Sequence, residues 1–103
     1  MVLRYNDTLS FKAISVEFLA TLLLVFTGCG ATIAVIKEGA GPQNLQIALA
    51  WAFAYASLTQ TFSQIGGAHM NPAITFSFLA TRRMSIFVSL VYIATQSIII
   101  FYP

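Results

Sequence analysis

The sequence predicts an all-α membrane protein with three apolar spans and one short re-entrant helix. Three observations carry that prediction. The 103 residues are 58% hydrophobic and 8% charged, with mean hydropathy +0.84, whereas a soluble domain carries about a quarter charged residues. The apolar load falls in three runs, residues 11–36, 45–64 and 85–102, close to the ~20 helical residues that cross a ~30 Å hydrocarbon core. Between the second and third runs stands GGAHMNPAITFSFL, residues 66–79. It is too polar at its front to prolong one span and too short at its back to make another. A chain of this size is expected to form one small bundle, residues 1–103, without a second domain.

The first run is tested as a cleaved signal before it is read as a span. It is longer than a typical signal core, and no A-x-A sequence ends it. FTGC, closing at Cys29, is a near miss for a lipoprotein processing site, but the apolar run continues past the cysteine. Cys29 is the only cysteine, which excludes an intrachain disulfide and a cysteine metal cluster. With His69 the only histidine, no metal site and no cofactor are expected. Glu17 lies within this run. A carboxylate at that depth either keeps its head in interfacial water or is paired internally, and position alone leaves both readings open.

The second run, 45–64, carries two faces. Trp51, Tyr55, Leu58 and Phe62 fall on one, and Ala48, Ala52 and Ala56 form a small-residue stripe on another that suits close helix packing. Gln60 here and Gln96 in the third run are expected to be interhelical hydrogen-bond partners.

The interruption reads as a helix start. Asn is a preferred N-cap, and Pro is favoured at the first helical position, so Asn71-Pro72 opens a helix that continues through Ala73 to Ala80 and stops at Thr81-Arg82-Arg83. Its length is roughly 15 Å at 1.5 Å per residue, half the hydrocarbon thickness. Four of the five basic residues, Arg4, Lys12, Arg82 and Arg83, count as cytoplasmic by the positive-inside rule, which puts the N-terminus inside and the loop 37–44 outside. That order requires residues 65–83 to begin and end on one side, as a re-entrant segment 65–81. With its basic end at the surface, the half-helix has its N-terminus near the midplane. Residues 65–70 then descend without being helical, with Gly66 and Gly67 permitting close backbone packing. Non-helical backbone at that depth must be buried in protein or line a water-filled cavity. The free N–H groups of the half-helix act like roughly half a positive charge. That field opposes cations and protons but not a neutral polar solute.

At these residues the chain resembles the aquaporin (major intrinsic protein) family. GGAHMNPAIT (66–75) is similar to the family's first Asn-Pro-Ala box, EFLATLLLVFTGCG (17–30) to its first-helix signature, and YIATQ (92–96) to its third-helix Tyr-x-x-A-Q stretch. The resemblance implies six tilted helices and two half-helices per protomer, arranged as inverted repeats and as homotetramers with a pore in each subunit. The present sequence matches the first inverted repeat. The second Asn-Pro-Ala box and the filter arginine are not among its residues, and SIIIFYP (97–103) departs from the family pattern, so it is read as a divergent or truncated tail. The resemblance also implies that Asn71, Pro72 and Ala73 form the pore box. It turns Glu17 inward to accept hydrogen bonds from the re-entrant loop and makes His69 a loop support rather than a pH switch. Trp51, twenty residues before Asn71, matches the aromatic filter position, with Phe53 as the substitute.

The expected function is a passive channel for water, with glycerol or another small neutral solute as further cargo. One alternative is a non-conducting fragment that assembles with or interferes with a full-length channel. Another is an unrelated transporter half that dimerises in inverted orientation, which predicts less charge bias than is seen. No paired acids, nucleophile–base set or phosphate loop argues for an enzyme. The expected partners are membrane lipid and the solute, with no nucleic acid. The Asn6-Asp7-Thr8 glycosylation pattern falls on the cytoplasmic side and is expected to be unused.

Overall fold

The computed structural model describes residues 9–38 and 44–101. Arg4, the Asn6-Asp7-Thr8 triplet, residues 39–43 of the expected outer loop and residues 102–103 lie outside the described residues. Four helices follow one another: α1 (Phe11–Glu38), α2 (Asn44–Gly66), α3 (Pro72–Ala80) and α4 (Ile86–Phe101). They occupy 49 × 31 × 22 Å. α1 packs against both α2 and α4, and α3 packs against α4.

Judged by length and composition alone, one helix among the described residues is sufficient to cross a membrane: Phe11–Lys37 of α1, which holds an 18-residue window of mean hydropathy 2.2. α4 has 16 residues, and α2, although 23 residues long, is laced with Ser57, Gln60, Thr61, Ser63 and Gln64.

The distribution of polarity explains how such helices assemble. The largest fully buried side chains are Gln96, Glu17, Thr21, Thr75 and Ser89, all polar, while Phe11 and Phe26 are 85% and 76% exposed. Water selects the opposite order. Hydrocarbon selects this one, because polar groups must there be satisfied within the protein.

The buried stripe of α1 runs through Ala13, Glu17, Ala20, Thr21, Leu24 and Gly28, at helical spacing and mostly small. α2 meets it with its bulky face: Trp51, Ala54, Tyr55, Leu58 and Phe62 pack on Ala20, Leu24, Ala68 and Met70. Ala48, Ala52 and Ala56 are exposed, so among the described residues the alanine stripe faces outward. Large side chains of α2 fit the small residues of α1 instead. Gln60 is likewise exposed.

Directions follow from contacts. Gly66 lies against Ala13, and Trp51 against Gly28, so α2 runs antiparallel to α1. Ala13 clusters with Met84, Val88 and Tyr92, and Phe18 and Leu22 line a groove with Ile98 and Ile99, so α4 runs parallel to α1. The segment between α2 and α4 therefore leaves and returns at the Ala13 end of α1. Between those points it brings Ala68 and Met70 into one cluster with Leu24, about 16 Å further along α1 at 1.5 Å per residue. The chain dips to the middle of α1 and comes back.

Candidate functional site

The descending segment is short because α2 stays helical through Gly66, two residues past the expected boundary. Gly66 is where glycine is required: a Cβ there would stand 2.9 Å from the Ala13 carbonyl oxygen. Gly67 then turns the chain at φ 83°, and Ala68 and Met70 adopt φ 49° and 54°. Two non-glycine residues in the left-handed region within three positions hold about 1–2 kcal/mol each of backbone strain, which the surrounding contacts must offset.

Those contacts come from three helices. Glu17 of α1 is fully buried. Its Oε2 accepts the His69 backbone N–H at 3.1 Å, and its Oε1 accepts the Met70 N–H. The Tyr55 hydroxyl of α2 donates to the His69 carbonyl at 3.4 Å, and the Tyr92 hydroxyl of α4 donates to the Gly66 carbonyl at 3.0 Å. Gly67 N–H returns to the Ser63 carbonyl at 2.9 Å. Loop backbone that hydrocarbon cannot solvate is thus satisfied by side chains aimed at it.

Gln96 joins the loop to α3. Its two amide hydrogens go to Glu17 Oε1 at 2.7 Å and Thr75 Oγ1 at 3.0 Å. Thr75, buried on α3, also shares a 3.0 Å hydrogen bond with His69 Nδ1. The His69 ring stacks on Phe78, with centroids 4.6 Å apart, and lies tilted to Tyr92 at 5.5 Å. The imidazole is packed on both α3 and α4.

At the bottom of the dip Asn71 is exposed and caps α3. Its backbone is extended (φ −155°, ψ 127°), Pro72 occupies the first turn, and its Oδ1 accepts the Ala73 N–H at 2.8 Å. With the oxygen committed to the cap, the side-chain NH2 is the donor left to a passing group. Pro72 and Ala73 complete the first turn beside it, and Ala73 is exposed. α3 ends on a Schellman-type closure: Arg83 N–H bonds the Phe78 carbonyl, Arg82 N–H the Leu79 carbonyl, and Arg82 takes φ 56°.

Trp51 stands on α2 with its indole against Gly28 of α1, half-buried beside the loop cluster. Phe53, its expected substitute, is 66% exposed and borders a separate open groove with Leu23 and Thr27.

The Major intrinsic protein family profile matches residues 4–99. The chain belongs to the major intrinsic protein, or aquaporin, family. Its similarity to the lens fiber major intrinsic protein is 47% identity with the mouse protein, 44% with that of the frog Lithobates pipiens and 42% with the human one. Each alignment covers 87 residues, 84% of this chain and 32% of the relative. The chain thus spans about a third of the length of the curated relatives it matches. Major intrinsic proteins are integral membrane proteins, in keeping with the exposed apolar surface described above.

Within this family frame the geometry gathers Glu17, His69, Gly66 and Gly67 around one loop, with Asn71, Pro72 and Ala73 at its lower end. Trp51 sits to one side of it. Three participants, Tyr55, Tyr92 and Thr75, were not singled out from the sequence for this site. A signal for the tyrosines existed: a phenol buried in an apolar segment needs a partner for its O–H.

Proposed function

We propose that the chain forms the first half of a passive channel for water, with glycerol or other small neutral solutes as further cargo, completed by a second, inverted half. The observation that carries this reading is the exposed Asn71 at the head of α3, its oxygen spent on the cap and its NH2 free to donate. Beside it the half-helix N-terminus supplies a field that disfavours cations and protons. Nothing in this arrangement turns over chemistry. Orienting one solute molecule at a time in such a field is what it suits. Glu17, His69, Gly66 and Gly67 hold the loop, and Trp51 narrows the pore. Four completed protomers form a tetramer, each with its own pore.

The Lys/Arg bias puts the N-terminus, Arg82 and Arg83 in the cytoplasm and residues 37–44 outside. The dip that starts and ends at the Ala13 end of α1 supports it.

The test uses a chimera in which this chain replaces the matched stretch of the mouse lens fiber protein. Vesicles holding it are expected to swell osmotically faster than protein-free vesicles, and Asn71→Asp, which removes the donor, is expected to abolish the difference. Swelling indifferent to Asn71→Asp would sink the role of Asn71. A second reading, a non-conducting subunit that binds or interferes with a longer channel, is favoured by exposed Phe76 on α3, 61% accessible. It predicts that co-reconstituting the chain with the chimera lowers swelling.

A further inference from the structure

We infer that Gly28 sets the position of the Trp51 indole and, through it, the solute preference of the pore, a step that rests on the reading of Trp51 as a filter residue. A Cβ built on Gly28 falls 2.1 Å from Trp51 Cε2, 2.3 Å from Cζ2 and 2.4 Å from Cδ2. These three atoms belong to the six-membered ring of the indole, which therefore rests in the space a side chain at position 28 would fill. Ordinary carbon contacts lie near 3.5–4.0 Å, so an alanine at 28 displaces the ring by about 1.5 Å or forces α1 and α2 apart.

Glycine is a poor choice within a helix, and nothing in the backbone of α1 requires one at 28. Two residues on, Gly30 has no atom within 4 Å of the same virtual position. The two glycines share a helix and a propensity, and differ in what they face. Trp51 packs against the cluster of Ala20, Leu24, Ala68 and Met70, the last immediately before Asn71. A ring lifted from its seat on α1 moves relative to the loop that carries the pore box. Gly28 is thus a positioning residue that acts through Trp51.

Trp51 is the only tryptophan, so its fluorescence reports this ring alone. In the 103-residue chain reconstituted in phosphatidylcholine vesicles, Gly30→Ala is expected to keep the wild-type emission maximum and acrylamide quenching. Gly28→Ala is expected to shift the emission and raise the quenching. Spectra of Gly28→Ala that superimpose on wild type overturn the seat. Should Gly28→Ala fail to fold while Gly30→Ala folds, adding Trp51→Leu is expected to restore helical circular dichroism; no restoration overturns the seat as well.

In the chimera, Gly28→Ala is expected to lower glycerol uptake relative to water, and adding Trp51→Phe to recover the ratio. A fluorescence shift with an unchanged glycerol-to-water ratio leaves the contact standing. It overturns the link to solute preference and removes Trp51 from the filter.

Discussion

Glu17 uses both carboxylate oxygens on three donors, the N–H groups of His69 and Met70 and the Gln96 amide. Glu17→Gln keeps the shape but offers one oxygen, and turns an NH2 toward a donor. A buried donor left unmet costs about 1–3 kcal/mol, so this near-isosteric change is expected to destabilise the chain by that amount, measured by thermal unfolding in detergent. Gly66→Ala is expected to cost about 1–3 kcal/mol, because its Cβ meets Ala13 backbone, which has no rotamer with which to yield. Gly30→Ala, facing open space, is expected to be neutral or to stabilise by up to ~1 kcal/mol. Equal effects of the two glycine substitutions would contradict the assigned contacts. At this scale the sequence was partly legible. A Gly pair before Asn-Pro pointed to close packing, but which glycine meets a neighbour and which one turns depends on α2 continuing to Gly66. The partners of Glu17 lie 52 to 79 residues away, and within the residues themselves nothing but the family resemblance pointed to the loop.

The start of α3 was readable because Asn and Pro each carry a local preference for their position. Its end was less so, since the left-handed residue that closes it is Arg82 at φ 56° where glycine is the usual occupant. Arg82→Gly is therefore expected to relieve about 1–2 kcal/mol of backbone strain, read as a raised melting temperature. A loss of stability would mean that the arginine side chain contributes more than its backbone costs. The orientation of the elements is tested by cysteines at Lys37 and Thr81 in a Cys29→Ala background. They are expected to react with impermeant maleimide from opposite sides of a vesicle, and reaction of both from one side contradicts the re-entrant path. The faces of α2 were harder to assign than its existence. Either the aromatic or the alanine face could meet α1, and the choice was made by the small residues of α1.

The largest fully buried side chains among the described residues are polar, and many large apolar side chains face outward. Around α3, Asn71 and Ser77 are exposed beside Phe76, as Gln60, Thr61 and Gln64 are on α2. Among the described residues there is a single half-helix, so one wall of the pore has no counterpart within them. The 103-residue chain alone is expected to give no osmotic swelling above protein-free vesicles. Swelling by the chain alone that Asn71→Asp abolishes would show that one half suffices. The fold class was legible from composition and span lengths because lipid imposes both. α2, with its polar side chains, and α4, with 16 residues, are less legible than α1 from hydropathy and length.

The carboxylate that ties the loop to α4 also sets a timetable. Glu17 and Gln96 stand 79 residues apart, and a ribosome adding about 5–20 residues per second separates them by roughly 4–16 s of synthesis. Through that interval the Glu17 carboxylate lacks its Gln96 donor, and the His69 and Met70 N–H groups themselves follow it by 52 and 53 residues. Among the described helices α1 precedes the partners that satisfy it, so the polar network it begins is complete only when α4 arrives.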